Sequence, residues 1–123
     1  MIFAKRVFFW SGIYGIAALT PLYFLESKLN ELSPPAIAHP EHFYGFIGVA
    51  LSWQVAFLII SRDPIRYRLL MIPSILEKAS FGIGTLVLFA LGRISSMALF
   101  GGAVDLLLGA LFVAAYMKTG VED

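Results

Sequence analysis

The chain contains no cysteine, and charged residues make up only 14% of its 123 positions. Without cysteine there is no disulfide, no thiol redox centre and no thiolate metal site, and the redox compartment is left open. The shortage of charge says more. Soluble domains carry about 25% charged residues. A net charge of +1 offers no electrostatic footprint for nucleic acid. Motifs of soluble enzymes are also missing: there is no glycine-rich phosphate loop and no Ser-His-acid set. Gly82-x-Gly84 lies in an apolar stretch and follows no strand, so it is not a dinucleotide fingerprint.

What fills the chain instead is hydrophobic sequence, at 59% of residues. A soluble domain of this size buries too modest a fraction of its surface to hide so much apolar area. Lipid as solvent removes the difficulty. A spanning helix needs about 20 largely apolar residues, and four segments meet that length: residues 7–25, 43–61, 69–91 and 96–117. In hydrocarbon the backbone must satisfy its own hydrogen bonds, which leaves helices or a closed barrel. Continuous apolar runs without alternation exclude the barrel. The expectation is an all-α membrane protein, a four-helix up-and-down transmembrane bundle forming one domain over residues 1–123. The first segment has the basic start of a signal peptide (Lys5, Arg6), but it is long for a signal core. The charged and bulky Glu26-Ser27-Lys28-Leu29 is no cleavage site, so it reads as a retained span.

The connections fit this division. Pro34-Pro35 and Pro40 interrupt any helix between the first two spans. Pro40 and Glu41 suit the first turn of the second helix, where a spare donor is absent and an acid meets the positive helix end. Asp63-Pro64 marks the next turn, and Ser95 or Ser96 can cap the fourth helix. Lys5, Arg6, Arg62, Arg66, Arg68 and Lys118 all fall on one side of a four-span bundle. The other side holds Lys28 and Arg93 against Glu26, Glu31 and Glu41. By the positive-inside rule both termini are expected in the cytoplasm.

Ionisable residues within a membrane are costly and are functional candidates by default. Glu77, Lys78 and Asp105 lie inside predicted spans. Counted at about 1.5 Å per residue from the basic end, they fall at a depth of roughly 12 to 18 Å. Gln54 and Tyr14 come out at similar depth, so four helices place polar groups in one layer. Two uses compete. In one, Lys78 pairs with Asp105, Glu77 bonds to Gln54 or Tyr14, and the set only holds helix register. In the other, the layer forms a binding site or proton relay, since three charges exceed what register requires. Glu77 and Lys78 point about 100° apart on a helix, so one can face the bundle while lysine snorkels toward the rim.

Small residues mark packing faces. Gly101, Asp105 and Gly109 recur every fourth residue, as do Gly48 and Ser52, and Ser11 and Gly15; such seams let helices approach closely. In the outer loop, His39, Glu41 and His42 form a His-x-x-His pair with an intervening acid, a set able to hold a metal. No further ligand is near in sequence, and a solvated or interfacial cluster is the expected state. No metal or other cofactor is expected. Trp10, Tyr44 and Tyr116 lie near span ends, where amphipathic aromatics anchor at the interface.

In Glu41-His42-Phe43-Tyr44-Gly45-Phe46, Asp63-Pro64-Ile65-Arg66-Tyr67-Arg68 and the following Glu77-Lys78, the chain resembles the DoxX-like group of small four-helix bacterial membrane proteins. The resemblance covers roughly residues 41–117. Its most specific part is the Asp-Pro-x-Arg-x-Arg turn followed by a lysine one-third into the next helix. It implies a bacterial inner (plasma) membrane location and a four-helix bundle. It implies little about activity, because the group has no agreed catalytic motif, although some members are associated with quinone-linked oxidation complexes. The missing cysteine and the lack of a histidine pair within the spans argue against direct electron transfer.

The leading functional expectation is a non-enzymatic multi-pass protein. It would bind or move a small hydrophobic ligand, or serve as an accessory subunit of a larger membrane complex, with membrane lipid around it and a homodimer as one assembly. One rival is a membrane-embedded enzyme using Glu77 or Asp105 as acid or base on a lipid, quinone or sterol-like substrate. Another is a small proton-coupled exporter, although those of this size carry an acid in the first helix and this chain has none there.

Overall fold

A computed structural model describes residues 2–32 and 34–122, with side chains to residue 120. Five α-helices and two short 3-10 turns account for nearly all of it: α1 (Ile2–Leu19), α2 (Glu26–Leu32), α3 (Pro40–Arg62), α4 (Met71–Ala90) and α5 (Ser96–Glu122). The first 3-10 turn (Thr20–Phe24) extends α1, and the second (Arg68–Leu70) leads into α4. Four of these units are long and apolar enough to cross a membrane: Ile2–Phe24, Pro40–Arg62, Arg68–Ala90 and Ser96–Gly120. The protein is an all-α multi-pass membrane protein. The helices outrun the expected spans at several ends, because hydropathy marks only the oily stretch while helical backbone continues into the polar interface.

Local chemistry sets the boundaries. Proline occupies the first turn of α3, with His39 before it and Glu41 beside it, where the missing donor costs nothing and the acid meets the helix dipole. The Ala98 amide donates to Ser95 Oγ at 3.3 Å, capping α5. The Arg66 amide donates to Asp63 Oδ1 at 3.2 Å, closing the turn after α3. α4 ends on Gly92 at φ +72°. There the Arg93 amide reaches Leu88 O and the Gly92 amide reaches Phe89 O, each at 2.9 Å, the paired bonds of a left-handed glycine terminus.

One element was not anticipated. The segment expected as an open outer loop holds α2, tied back by two bonds: Tyr44 Oη donates to Glu26 Oε1 at 3.0 Å, and the Ile37 amide donates to Asn30 Oδ1 at 2.8 Å. The Tyr23 and Tyr44 rings stack at 6.0 Å beneath it.

Within the bundle α1 packs against α3, α4 packs against α5, and α1 joins α5; α3 and α4 scarcely touch. Glycines allow the two close pairings. A side chain at Gly12 would meet the Gln54 carbonyl at 2.9 Å, and one at Gly15 would overlap the Gln54 side chain. Across the other seam, a side chain at Gly82 would meet the Gly102 carbonyl at 3.0 Å, and one at Gly102 would overlap Thr85. In the absence of a hydrophobic drive between helices in lipid, such backbone approach supplies much of the association energy. The expected packing positions are therefore revised in part. Gly101 faces open space, and Gly48 has only Tyr23 Oη at 3.5 Å. Ser52 is exposed and its hydroxyl donates to its own helix at Gly48 O. A side chain at Gly109 would meet Lys78 Cβ at 3.3 Å, so this position does pack closely.

The core lies toward the end where the basic residues gather. Phe8, Phe57 and Phe112 are each fully buried. Phe8 stacks on Phe112 at 4.2 Å, and Phe57 meets Phe112 edge-on at 4.9 Å. Arg68 lies 3.7 Å over the Tyr116 ring and donates from Nε to Tyr116 O at 3.1 Å. This places a cation toward the C-terminal end of α5, the negative end of the helix dipole. Lys118 sits 4.3 Å over the Phe3 ring, tying the two ends of the chain together.

Candidate functional site

Directly above the phenylalanine core the bundle becomes polar. Gln54 follows Ala50 and precedes Phe57 on the inner face of α3, and all three are buried. Lys78 occupies the inner face of α4 with Ser74 and Gly82. It does not snorkel: its side chain is only 3% exposed, and Nζ lies 5.2 Å over the Phe57 ring. The ammonium sits between two acids, 3.4 Å from Asp105 Oδ1 and 3.7 Å from Glu77 Oε2. The Asp105 contact is also a hydrogen bond donated by Nζ. Two carboxylates thus face one ammonium. The unequal count sets one acid in excess at membrane depth, where an unpaired charge is expensive.

Hydrogen bonding is equally lopsided. Gln54 Nε2 donates to Ala50 O at 2.8 Å. A carbonyl can only accept, so this bond sets the amide's orientation and turns Oε1 away from it. Among the described residues no donor hydrogen-bonds to Gln54 Oε1 or to Glu77 Oε2, the latter having only the ion-pair contact to Lys78. The anticipated bond from Glu77 to Gln54 or Tyr14 is replaced by these two unpartnered acceptors. Ser11 Oγ on α1 is also buried without a partner. Unsatisfied buried acceptors cost about 1–3 kcal/mol each.

All five residues of the expected layer surround one cavity of about 190 Å³, with Tyr14, Gln54, Glu77, Lys78 and Asp105 in its wall. Gly15, Gly101, Phe46 and Phe81 complete much of the lining. Its location follows from the packing: α3 and α4 scarcely touch, and Gly101 adds no side chain to fill the gap. Phe46 and Phe81 bridge the two helices, their rings stacked at 5.8 Å. Beyond them an outward-facing groove of about 690 Å³ runs along α3 and α4 from Glu41 and His42 down to Glu77. Phe46, Ala50, Glu77 and Phe81 belong to both spaces, so they form the partition between cavity and membrane. Phe46 and Phe81 carry a signal that the sequence reading passed over, an aromatic facing the polar layer on each of the two helices that fail to meet.

The outer histidine cluster stands apart. His39 Nδ1 lies 3.0 Å from Glu41 Oε1, and His42 Nε2 lies 3.9 Å from the same oxygen. The imidazoles stack at 4.8 Å. All three residues are exposed, with potential ligand atoms within 4.8 Å of one another. They cap the start of α3, where the positive helix end disfavours a cation. The expected interfacial aromatics divide: Trp10 is exposed, whereas Tyr44 is bonded to Glu26 and Tyr116 lies under Arg68.

Comparison of the chain with protein-family models, with curated proteins and with solved structures finds no match.

Proposed function

We propose that this multi-pass membrane protein is a non-enzymatic binder of a small hydrophobic ligand, which it holds in the cavity above Gln54, Glu77, Lys78 and Asp105. The observation that carries the reading is the pairing of an apolar, laterally approached cavity with buried polar groups that lack partners. A layer serving helix register alone would close on itself. This one leaves two acceptors and a carboxylate in excess beside an unfilled space.

The location belongs to the same proposal: the bacterial inner membrane, with both termini in the cytoplasm. Its support is the gathering of Lys5, Arg6, Arg68 and Lys118 at one end of the bundle, which the positive-inside rule assigns to the cytoplasm. The resemblance to the DoxX-like group is in keeping with that location. Membrane lipid is the surrounding partner.

Native mass spectrometry from mild detergent tests the reading, with Glu77→Gln, Asp105→Asn and Gly101→Phe measured beside the parent chain. Position 101 opens onto free space, so the added ring fills the cavity without displacing a helix. A small molecule should travel with the parent protein, weaken in the two charge variants and vanish in Gly101→Phe. A parent protein free of any adduct, or an adduct retained by Gly101→Phe, would contradict it.

A further inference from the structure

We infer that the ligand is a single-chain amphiphile with an ammonium head, the head lodged beside Glu77 and the chain lying along the α3–α4 groove. This inference rests on the ligand-binding reading above and adds the chemical class.

Charge comes first. The site holds two carboxylates and one ammonium, with Lys78 already engaged by both acids. A cationic head gives the second acid a counter-charge where an unpaired carboxylate is costly. An anionic head would have to approach Lys78 past two carboxylates, so fatty acids and phosphate esters are disfavoured. Hydrogen bonding points the same way. Gln54 Oε1 and the carboxylate oxygen Glu77 Oε2, neither of them hydrogen-bonded among the described residues, can only accept, and an ammonium offers three donors and no acceptor. A hydroxyl head would satisfy one of them and leave the charge uncompensated.

Shape then separates head from chain. The cavity, at about 190 Å³, is a little larger than the ~150 Å³ that accommodates benzene and smaller than the ~300 Å³ at which drug-sized pockets begin. It takes a head and its first few carbons. The rest leaves through the wall shared with the large groove, the partition formed by Phe46, Ala50, Glu77 and Phe81. Phe46 and Phe81 give that passage aromatic faces, which attract cations and tolerate alkyl chains.

The test uses the full chain in neutral phosphatidylcholine vesicles, so that surface charge does not concentrate any one probe. Three diazirine-bearing dodecyl probes differ only in their head: ammonium, hydroxyl or carboxylate. Photolabelling is read as the concentration at which attachment to α3 and α4 saturates. The ammonium probe should saturate at a concentration about tenfold or more below the others, as expected for a charge-assisted contact. Glu77→Gln, which keeps size and shape, should abolish that preference while still binding the hydroxyl probe, which also shows that the variant is folded. Gly101→Phe should remove saturable labelling by all three. Equal affinities, a preferred carboxylate, or an ammonium preference that survives Glu77→Gln would overturn the head-group assignment and leave ligand binding standing. Absence of saturable labelling by every probe would overturn ligand binding itself.

Discussion

The two halves of the bundle use the same four helices in opposite ways. At the basic end, Phe8, Phe57 and Phe112 from three helices close on one another with no exposed surface. At the other end Phe46 and Phe81 are 44% and 37% exposed, and a cavity opens between the helices. The polar layer is the boundary, with Lys78 resting on Phe57 below and facing the cavity above. In lipid, helices associate through close contact and not through the expulsion of water. A bundle packed tightly at one end and along two glycine seams can therefore leave its other end unfilled. Unpartnered polar groups are tolerated there because they are held in place from below.

The largest effect should come from the boundary. Lys78→Met leaves two acids facing each other within the membrane and should cost about 3–5 kcal/mol, the range for a broken buried ion pair. Equilibrium unfolding in a detergent titration measures it, and adding Asp105→Asn to the same chain should recover a large part. No loss in Lys78→Met would mean that the pair does not join the halves.

Next comes a direct contrast between the halves. Phe112→Ala should destabilise by about 3 kcal/mol, as for a large side chain removed from a packed core. Phe81→Ala, at a partly exposed position that lipid can refill, should cost under about 1 kcal/mol. Equal losses would erase the distinction. Smaller again is the contrast between two adjacent glycines. Gly102→Ala drives a methyl group into Thr85 and should cost about 1–3 kcal/mol through overpacking. Gly101→Ala meets open space and should leave the unfolding midpoint unchanged.

That last pair also shows how far the sequence can be read. The four spans are legible because each is a property of a whole window of residues: length and oiliness survive any error in helix rotation. The shared depth of Gln54, Glu77, Lys78 and Asp105 follows from rise per residue alone. Which way each side chain points does not. Gly101 and Gly102 differ by about 100° around α5, and only the placement of α4 decides that Gly102 takes the close contact. Lysine's flexible stem allows both an outward and an inward course, and the two acids and the Phe57 ring select the inward one. The helix α2 stayed hidden because its seven residues are too short for a periodic signal and depend on Glu26 and Asn30 meeting distant partners. The sparse contact between α3 and α4, beside which the cavity lies, is a tertiary result with no local mark.

Because the chain has no cysteine of its own, one placed thiol reports one position, and the openness of the outer half can be measured directly. Gly101→Cys and Ala115→Cys in vesicles are each treated with a small membrane-permeant maleimide, with alkylation followed over time. Gly101 lines the cavity and Ala115 lies in the closed core. Rapid modification at 101, slowed by a saturating ligand, beside an inert 115 is the predicted result. Equal rates at both positions, or protection at 101 without ligand, would contradict a bundle that is sealed at one end and open to a guest at the other.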